Sequence, residues 1–184
     1  MRSALIPLAE GFEEIEAVTI VDVLRRGGVE VVTAALGAER EVTGAHGMKV
    51  TADAAFADAA GREFDAVVLP GGPGVGSMRG SAPLVERLRQ QHAEGRLIAA
   101  ICAAPLVLTD NAIVEPDIHL TCYPSCATEL DRRPAGVPVV ADGGVITGEA
   151  PGSAMLFALV VLQTLQGEDV ARKVARGMVT DDLQ

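Results

Sequence analysis

Short apolar runs that alternate with stretches of helical periodicity constrain this chain more than any other feature. Residues 4–9, Ala66–Leu69 and 96–101 are runs of the first kind, and 29–35 is a β-branched run read as a second strand. Apolar runs this short, without polar alternation, describe strands covered on both faces, as in parallel sheets. Between them, 13–26 carries a helical apolar repeat closed by Gly27-Gly28, and Ala82–Ala93 is charged and amphipathic. Residues 103–109 predict a helix with Pro105 near its start, where a missing N–H is tolerated. Further on, 118–122, 137–141 and 144–147 read as short strands, and 151–166 and 168–176 as two closing helices. The irregular segment 36–55 reads as a hairpin or an excursion at the sheet edge. The pattern predicts an α/β fold, a mostly parallel sheet sandwiched by helices, as one domain over residues 1–184.

Composition narrows the function. With 49% hydrophobic and 22% charged residues the chain is neither disordered nor collagen-like. Its 25 acidic against 15 basic residues, a net charge of −10, argue against nucleic acid or an anionic membrane as partner. Aromatics at 3%, with no Trp, leave no base-stacking surface. Three cysteines make no paired framework and point to a reducing compartment. No apolar run reaches the ~20 residues of a membrane helix, and the N-terminus has no signal-peptide stretch. The expectation is a soluble cytoplasmic protein.

The chemistry concentrates in Leu97-Ile98-Ala99-Ala100-Ile101-Cys102-Ala103-Ala104-Pro105. A buried strand runs into a cysteine and a helix must begin at once, which is the layout of a nucleophile elbow. Ala100 and Ala104 supply the small flanking residues such a turn needs. A thiol at a helix N-terminus is expected to be drawn toward thiolate. The competing reading is a structural cysteine in an apolar core. No motif ties His46, His92 or His119 to Cys102, and His92 shares a polar helix face with Gln90, Gln91 and Glu94 that reads as solvated.

In Glu13-Glu14-Ile15-Glu16, acidic residues at a helix start complement its dipole. Glu16 also has Ile20, Val23 and Gly27 at i+4, i+7 and i+11, a face that should pack on the sheet, although Glu13 and Glu14 have apolar i+4 neighbours too, Ala17 and Val18. A carboxyl held there has its pKa raised, and in the protonated form it can donate a hydrogen bond to a thiolate. Pro70-Gly71-Gly72-Pro73-Gly74-Val75-Gly76 follows a buried strand. It lacks the spacing and the distal acid of a dinucleotide loop, which leaves a plain turn or a backbone oxyanion hole. His119, Cys122 and Cys126 form H-x2-C-x3-C, which matches no standard zinc spacing and lacks a fourth ligand, so no metal is assigned. A resolving role for one of these thiols toward an oxidised Cys102 is the alternative to two incidental cysteines.

Taken with Leu8-Ala9-Glu10-Gly11-Phe12-Glu13-Glu14-Ile15-Glu16, Val21-Asp22-Val23-Leu24-Arg25-Arg26-Gly27-Gly28, Val67-Val68-Leu69-Pro70-Gly71-Gly72 and Pro151-Gly152-Ser153, these segments resemble the ThiJ/PfpI family (the DJ-one superfamily). The likeness is to its parkinsonism-associated deglycase branch and spans nearly the whole chain. It implies a sandwich related to class I glutamine amidotransferases, flavodoxin-like, and a homodimer. Cys102 is implied as elbow nucleophile, Glu16 as its protonated partner, and the amides of Gly72 and Ala103 as an oxyanion hole beside Gly71. The implied activity is cofactor-independent conversion of reactive dicarbonyls or glycated substrates, with redox sensing or chaperone-like protection through the same cysteine as the alternative. An enzyme of a thiamine-related metabolite is a third reading. Where the family often has a His, this chain has Tyr123, which removes the base of a Cys-His peptidase and leaves a hydroxyl able to position substrate. Near Pro151-Gly152 some relatives have an Arg where this chain has Glu149.

Overall fold

The computed structural model describes residues 1–130 and 134–180. In chain order the elements are β1 (Ser3–Leu8), α1 (Glu14–Arg26), β2 (Glu30–Ala35), β3 (Glu41–Thr43), β4 (Lys49–Thr51), β5 (Ala54–Ala55), α2 (Phe56–Ala59) and β6 (Ala66–Leu69). They continue as α3 (Val75–Arg79), α4 (Ala82–Ala93), β7 (Leu97–Ile101), α5 (Pro105–Asp110), β8 (Val139–Asp142), β9 (Val145–Gly148), α6 (Ala154–Gln166) and α7 (Glu168–Gly177). A seven-stranded sheet runs in the order β5-β2-β1-β6-β7-β9-β8. It is parallel except for the antiparallel β8–β9 pair at its edge.

Alternate residues of the central strands feed two cores. Ala4, Ile6, Leu8, Val68, Ala99 and Ile101 face α1, α6 and α7, whereas Leu5, Val67, Leu69, Ile98 and Ala100 face α2 to α5. This two-sided cover is why the strands read as unbroken apolar runs. The segment 36–55 contains the hairpin of the two alternatives, β3 paired antiparallel with β4. Among the described residues no helix is long and apolar enough to cross a membrane.

Two expectations need correction. Residues 118–122 form no strand; their bonds run singly to different neighbours rather than along a ladder. The Thr121 N–H donates to Thr147 Oγ1 at 2.9 Å, and the Leu120 carbonyl accepts from the Ala135 N–H at 2.8 Å. Gln91 does not lie on a solvated face. It is fully buried, its amide donating to the carbonyls of Phe64 (3.0 Å) and Leu97 (3.2 Å) while Oε1 accepts from the buried Arg87 guanidinium. Helical periodicity places Gln91 near Leu84 and Leu88, and a long polar side chain can enter that face only because the carbonyls of Phe64 and Leu97 wait for it. His92 is half-buried, its ring 3.1 Å from the Glu115 carboxylate rather than on an open solvated face.

The β1–β6 ladder holds only Ala4↔Ala66 and Leu5↔Val67, whereas β1–β2 runs on to Leu8↔Ala35. The loops after β1 and β6 connect to helices on opposite faces, so a crevice opens at their carboxyl ends, the usual ligand position in open α/β sheets.

Replacing Gln91 by Ala removes its bonds to the Phe64 and Leu97 carbonyls and its hold on Arg87, which keeps its bond to Gln90. Urea denaturation should show a loss of about 2–4 kcal/mol, more than shortening an exposed polar residue gives.

Candidate active site

Three loops meet in this crevice. Cys102 follows β7 with φ +64°. Holding a non-glycine residue in the left-handed region costs roughly 1–2 kcal/mol, so its surroundings must fix it. The Cys102 N–H donates to the Gly148 carbonyl (2.9 Å), and its carbonyl accepts the Tyr123 N–H (2.8 Å). Ala100 and Ala104 are fully buried on either side, and Pro105 opens α5.

The three glutamates at the start of α1 have three different tasks. Glu13 caps α1, accepting the Glu16 N–H at 2.8 Å. Glu14 accepts the His46 N–H at 2.6 Å and lies 2.9 Å from His46 Nδ1, which fastens the β3–β4 hairpin to α1. Burial acts to raise Glu14, yet the bonds from His46 and Met48 outweigh it and hold the group at about 2. Glu16 turns inward with no exposed surface, and its Oε2 accepts the Gly71 N–H at 2.7 Å. Its Oε1 is buried without a hydrogen-bond partner, and the Cys102 side chain lies against the same carboxyl group.

The glycines are there for space. A Cβ on Gly71 would lie 2.7 Å from Cys102 Cβ and 2.8 Å from Glu16 Oε2. Gly72 has φ +95°, and a Cβ there would come within 2.5 Å of the Gly11 carbonyl oxygen. Backbone bonds lace the two loops together, Glu13 N–H to the Gly71 carbonyl (2.9 Å) and Gly74 N–H to the Gly11 carbonyl (3.0 Å). The amides of Gly72 and Ala103 face the Cys102 sulfur and act to lower its pKa.

Desolvation pushes Glu16 up to about 7, against the opposing pull of the Gly71 N–H and the Cys102 thiol. Desolvation also pushes Cys102 up to about 12; a charged Glu16 beside it adds to the rise, and the two amides oppose it. The expectation of a thiol lowered by a helix N-terminus is therefore corrected. At six residues α5 has too little aligned backbone to offset burial beside a carboxylate. Protonating Glu16 reverses its influence, because an O–H can donate to the thiolate that a carboxylate repels.

Of the residues singled out in the sequence, Glu16, Gly71, Gly72, Cys102 and Ala103 come together in this crevice. Tyr123 joins through its backbone, and the residue is 42% exposed. The three histidines are engaged elsewhere, His46 with Glu14, His92 with Glu115 and His119 with Asp142. The ligand atoms of His119, Cys122 and Cys126 do not converge. Among the described residues only Glu13, Glu14 and His46 bring three such atoms within 4.8 Å, and these are occupied by the helix cap and the hairpin latch. Sequence reasoning missed Gly148, whose carbonyl holds the elbow, and the Gly11–Gly74 bond; neither has a signal in local spacing.

The family model described as the DJ-1/PfpI family matches residues 2–164. Protein dj-1beta of Drosophila melanogaster is 40% identical over 182 residues, covering 97% of each chain. A Caenorhabditis elegans protein named glutathione-independent glyoxalase DJR-1.2 is 38% identical over 172 residues, covering 91% of each. The solved structure of oxidised Toxoplasma gondii DJ-1 superposes with a TM-score of 0.94 at 34% identity, covering 98% of this chain and 100% of the other.

The raised carboxyl has a measurable consequence. Folded Glu16 keeps its proton up to about pH 7, whereas its ordinary value is 4.5. Between those values the folded state binds more proton, so this group's contribution to stability is full below pH 4.5 and is lost as pH rises to 7. Glu16→Gln keeps the shape and cannot ionise. Denaturation curves should show it more stable than wild type at pH 8, by on the order of 1–3 kcal/mol, with the gap closing toward pH 5. A gap independent of pH would mean that Glu16 is not raised.

Proposed function

The chain belongs to the DJ-1/PfpI family, and from that premise we propose that it is a cofactor-independent cysteine enzyme acting on small reactive dicarbonyls. The type is that of a glutathione-independent glyoxalase or protein deglycase, serving defence against carbonyl and oxidative stress. The observation that carries this reading is a carboxyl raised to about 7 against a cysteine whose sulfur faces two backbone amides. The name of the C. elegans relative supports it.

Every step uses groups of the chain and water. As the Cys102 sulfur bonds to the aldehyde carbon of methylglyoxal, the Glu16 carboxylate takes the thiol proton. The Gly72 and Ala103 amides, already aimed at the sulfur, stabilise the oxyanion that forms one bond away. Glu16 returns a proton to that oxygen to give the hemithioacetal. It then moves the proton on the former aldehyde carbon to the neighbouring carbon through an enediol, leaving a thioester. Water cleaves the thioester to lactate and restores the thiol. A carboxyl near 7 can give and take a proton at neutral pH, which an ordinary glutamate does far less well. With all three histidines engaged elsewhere, no imidazole serves Cys102 as a peptidase base. The homodimer is part of the same reading, and exposed Ile15 and Val18 on α1 give it an apolar face.

Lactate formation from methylglyoxal without glutathione should proceed for many turnovers in wild type and vanish in Cys102→Ala, with stoichiometric trapping counted separately. Glu16→Gln should lower kcat by about 10²–10⁴-fold, the range expected for loss of a general acid–base. Absent turnover, with Cys102 still the thiol that peroxide oxidises first, would replace the enzyme by a redox sensor.

A further inference from the structure

Two nucleophilic side chains stay outside the chemistry of Cys102. Cys122 and Cys126 are free thiols, both buried, and both belong to the core between the sheet and α2 to α5. Cys102 packs with the core on the α1 side. Burial thus groups these two thiols with each other and apart from the reacting sulfur. His119, which shares their H-x2-C-x3-C spacing, is turned to Asp142 and leaves the pair to itself.

One carbonyl brings the two together. The Cys122 S–H donates to the Tyr123 carbonyl at 3.4 Å, and the same oxygen accepts the Cys126 N–H at 2.8 Å. That second bond closes a turn through Pro124–Cys126, and such a turn keeps its first and last Cα atoms within about 7 Å. Cys126 is thereby folded back onto the residue at which Cys122 points, in the range of separations that a disulfide spans. Burial pushes both thiols up, Cys122 to about 11, and the charge of Cys126 is felt at Cys122. At Cys126 the Ser125 side chain and the Arg79 charge oppose the rise, while Glu129 adds to it. Neither cysteine belongs to a strand or an α-helix, so the turn can tighten without breaking a ladder.

We propose that Cys122 and Cys126 are a redox dithiol, a second thiol site that closes to an intramolecular disulfide by exchange with a small-molecule disulfide. The Cys126 sulfur attacks one sulfur of glutathione disulfide, forming a mixed disulfide and releasing one glutathione, which takes the Cys126 proton. Cys122 then displaces the second glutathione from the Cys126 sulfur and gives up its own proton to it. Two protein thiols are oxidised, and one disulfide is reduced to two glutathione thiols. The new bond would lie next to Tyr123, whose N–H holds the Cys102 carbonyl at the elbow.

Glutathione disulfide is the probe, with thiol titration and fragment mass spectrometry as readouts. In Cys102→Ala, oxidation should remove both remaining thiols together and leave the chain lighter by two hydrogens. The bond should map to Cys122 and Cys126, there and in wild type, and excess reduced glutathione should restore both thiols. With Cys122→Ser added to Cys102→Ala, Cys126 should instead retain one glutathione. Because the fold preorganises the turn, the folded chain should oxidise at a ratio of oxidised to reduced glutathione about tenfold lower than the urea-unfolded chain. Thiols that stay reduced, a separate glutathione on each, or equal ratios for folded and unfolded chains would overturn the pair. A disulfide from either cysteine to Cys102 in wild type would overturn it as well, in favour of a resolving thiol.

Discussion

The hydrogen bond from the Gly71 amide to Glu16 Oε2, buried beneath Cys102, is the contact on which the rest of the site depends. It joins the helix after β1 to the loop after β6 and sets the carboxyl against the sulfur delivered by β7. One oxygen is satisfied by that amide and the other has no partner, so the carboxyl is desolvated and its proton stays on to about neutral pH. A side chain at position 71 would push Cys102 and Glu16 apart, which is why the contact requires glycine.

The elbow depends on long-range bonds in the same way. A left-handed Cys102 persists because Gly148 and Tyr123 hold both its backbone groups, and those residues come from parts of the chain far beyond the strand that precedes it. Strain is thereby concentrated at the one residue whose sulfur must stand clear of the sheet and meet two amides. The β3–β4 hairpin is drawn in by Glu14 through His46, so neighbouring acids at the start of α1 cap the helix, latch a hairpin and serve the thiol.

The strands and most helices were readable because two-sided burial and helical periodicity leave direct marks on residue order. The central strands fall within a residue or two of their expected limits. Segment 118–122 failed because an apolar run reports burial, whereas a strand needs a continuous ladder that only neighbours can offer. Gln91 failed for the related reason that its partners, the carbonyls of Phe64 and Leu97, are not on its helix. The protonation of Cys102 was misread because a helix start was weighed without its length or the depth of burial.

By itself the sequence determined the layered α/β architecture, the strand-cysteine-helix turn and the glycine loop, since each is a matter of local order and periodicity. Tertiary structure decided that these pieces converge, which strand ends diverge to make room, and which protonation states follow. Those properties come from desolvation and from hydrogen bonds between residues tens of positions apart, as between Glu16 and Gly71, and no local pattern encodes them.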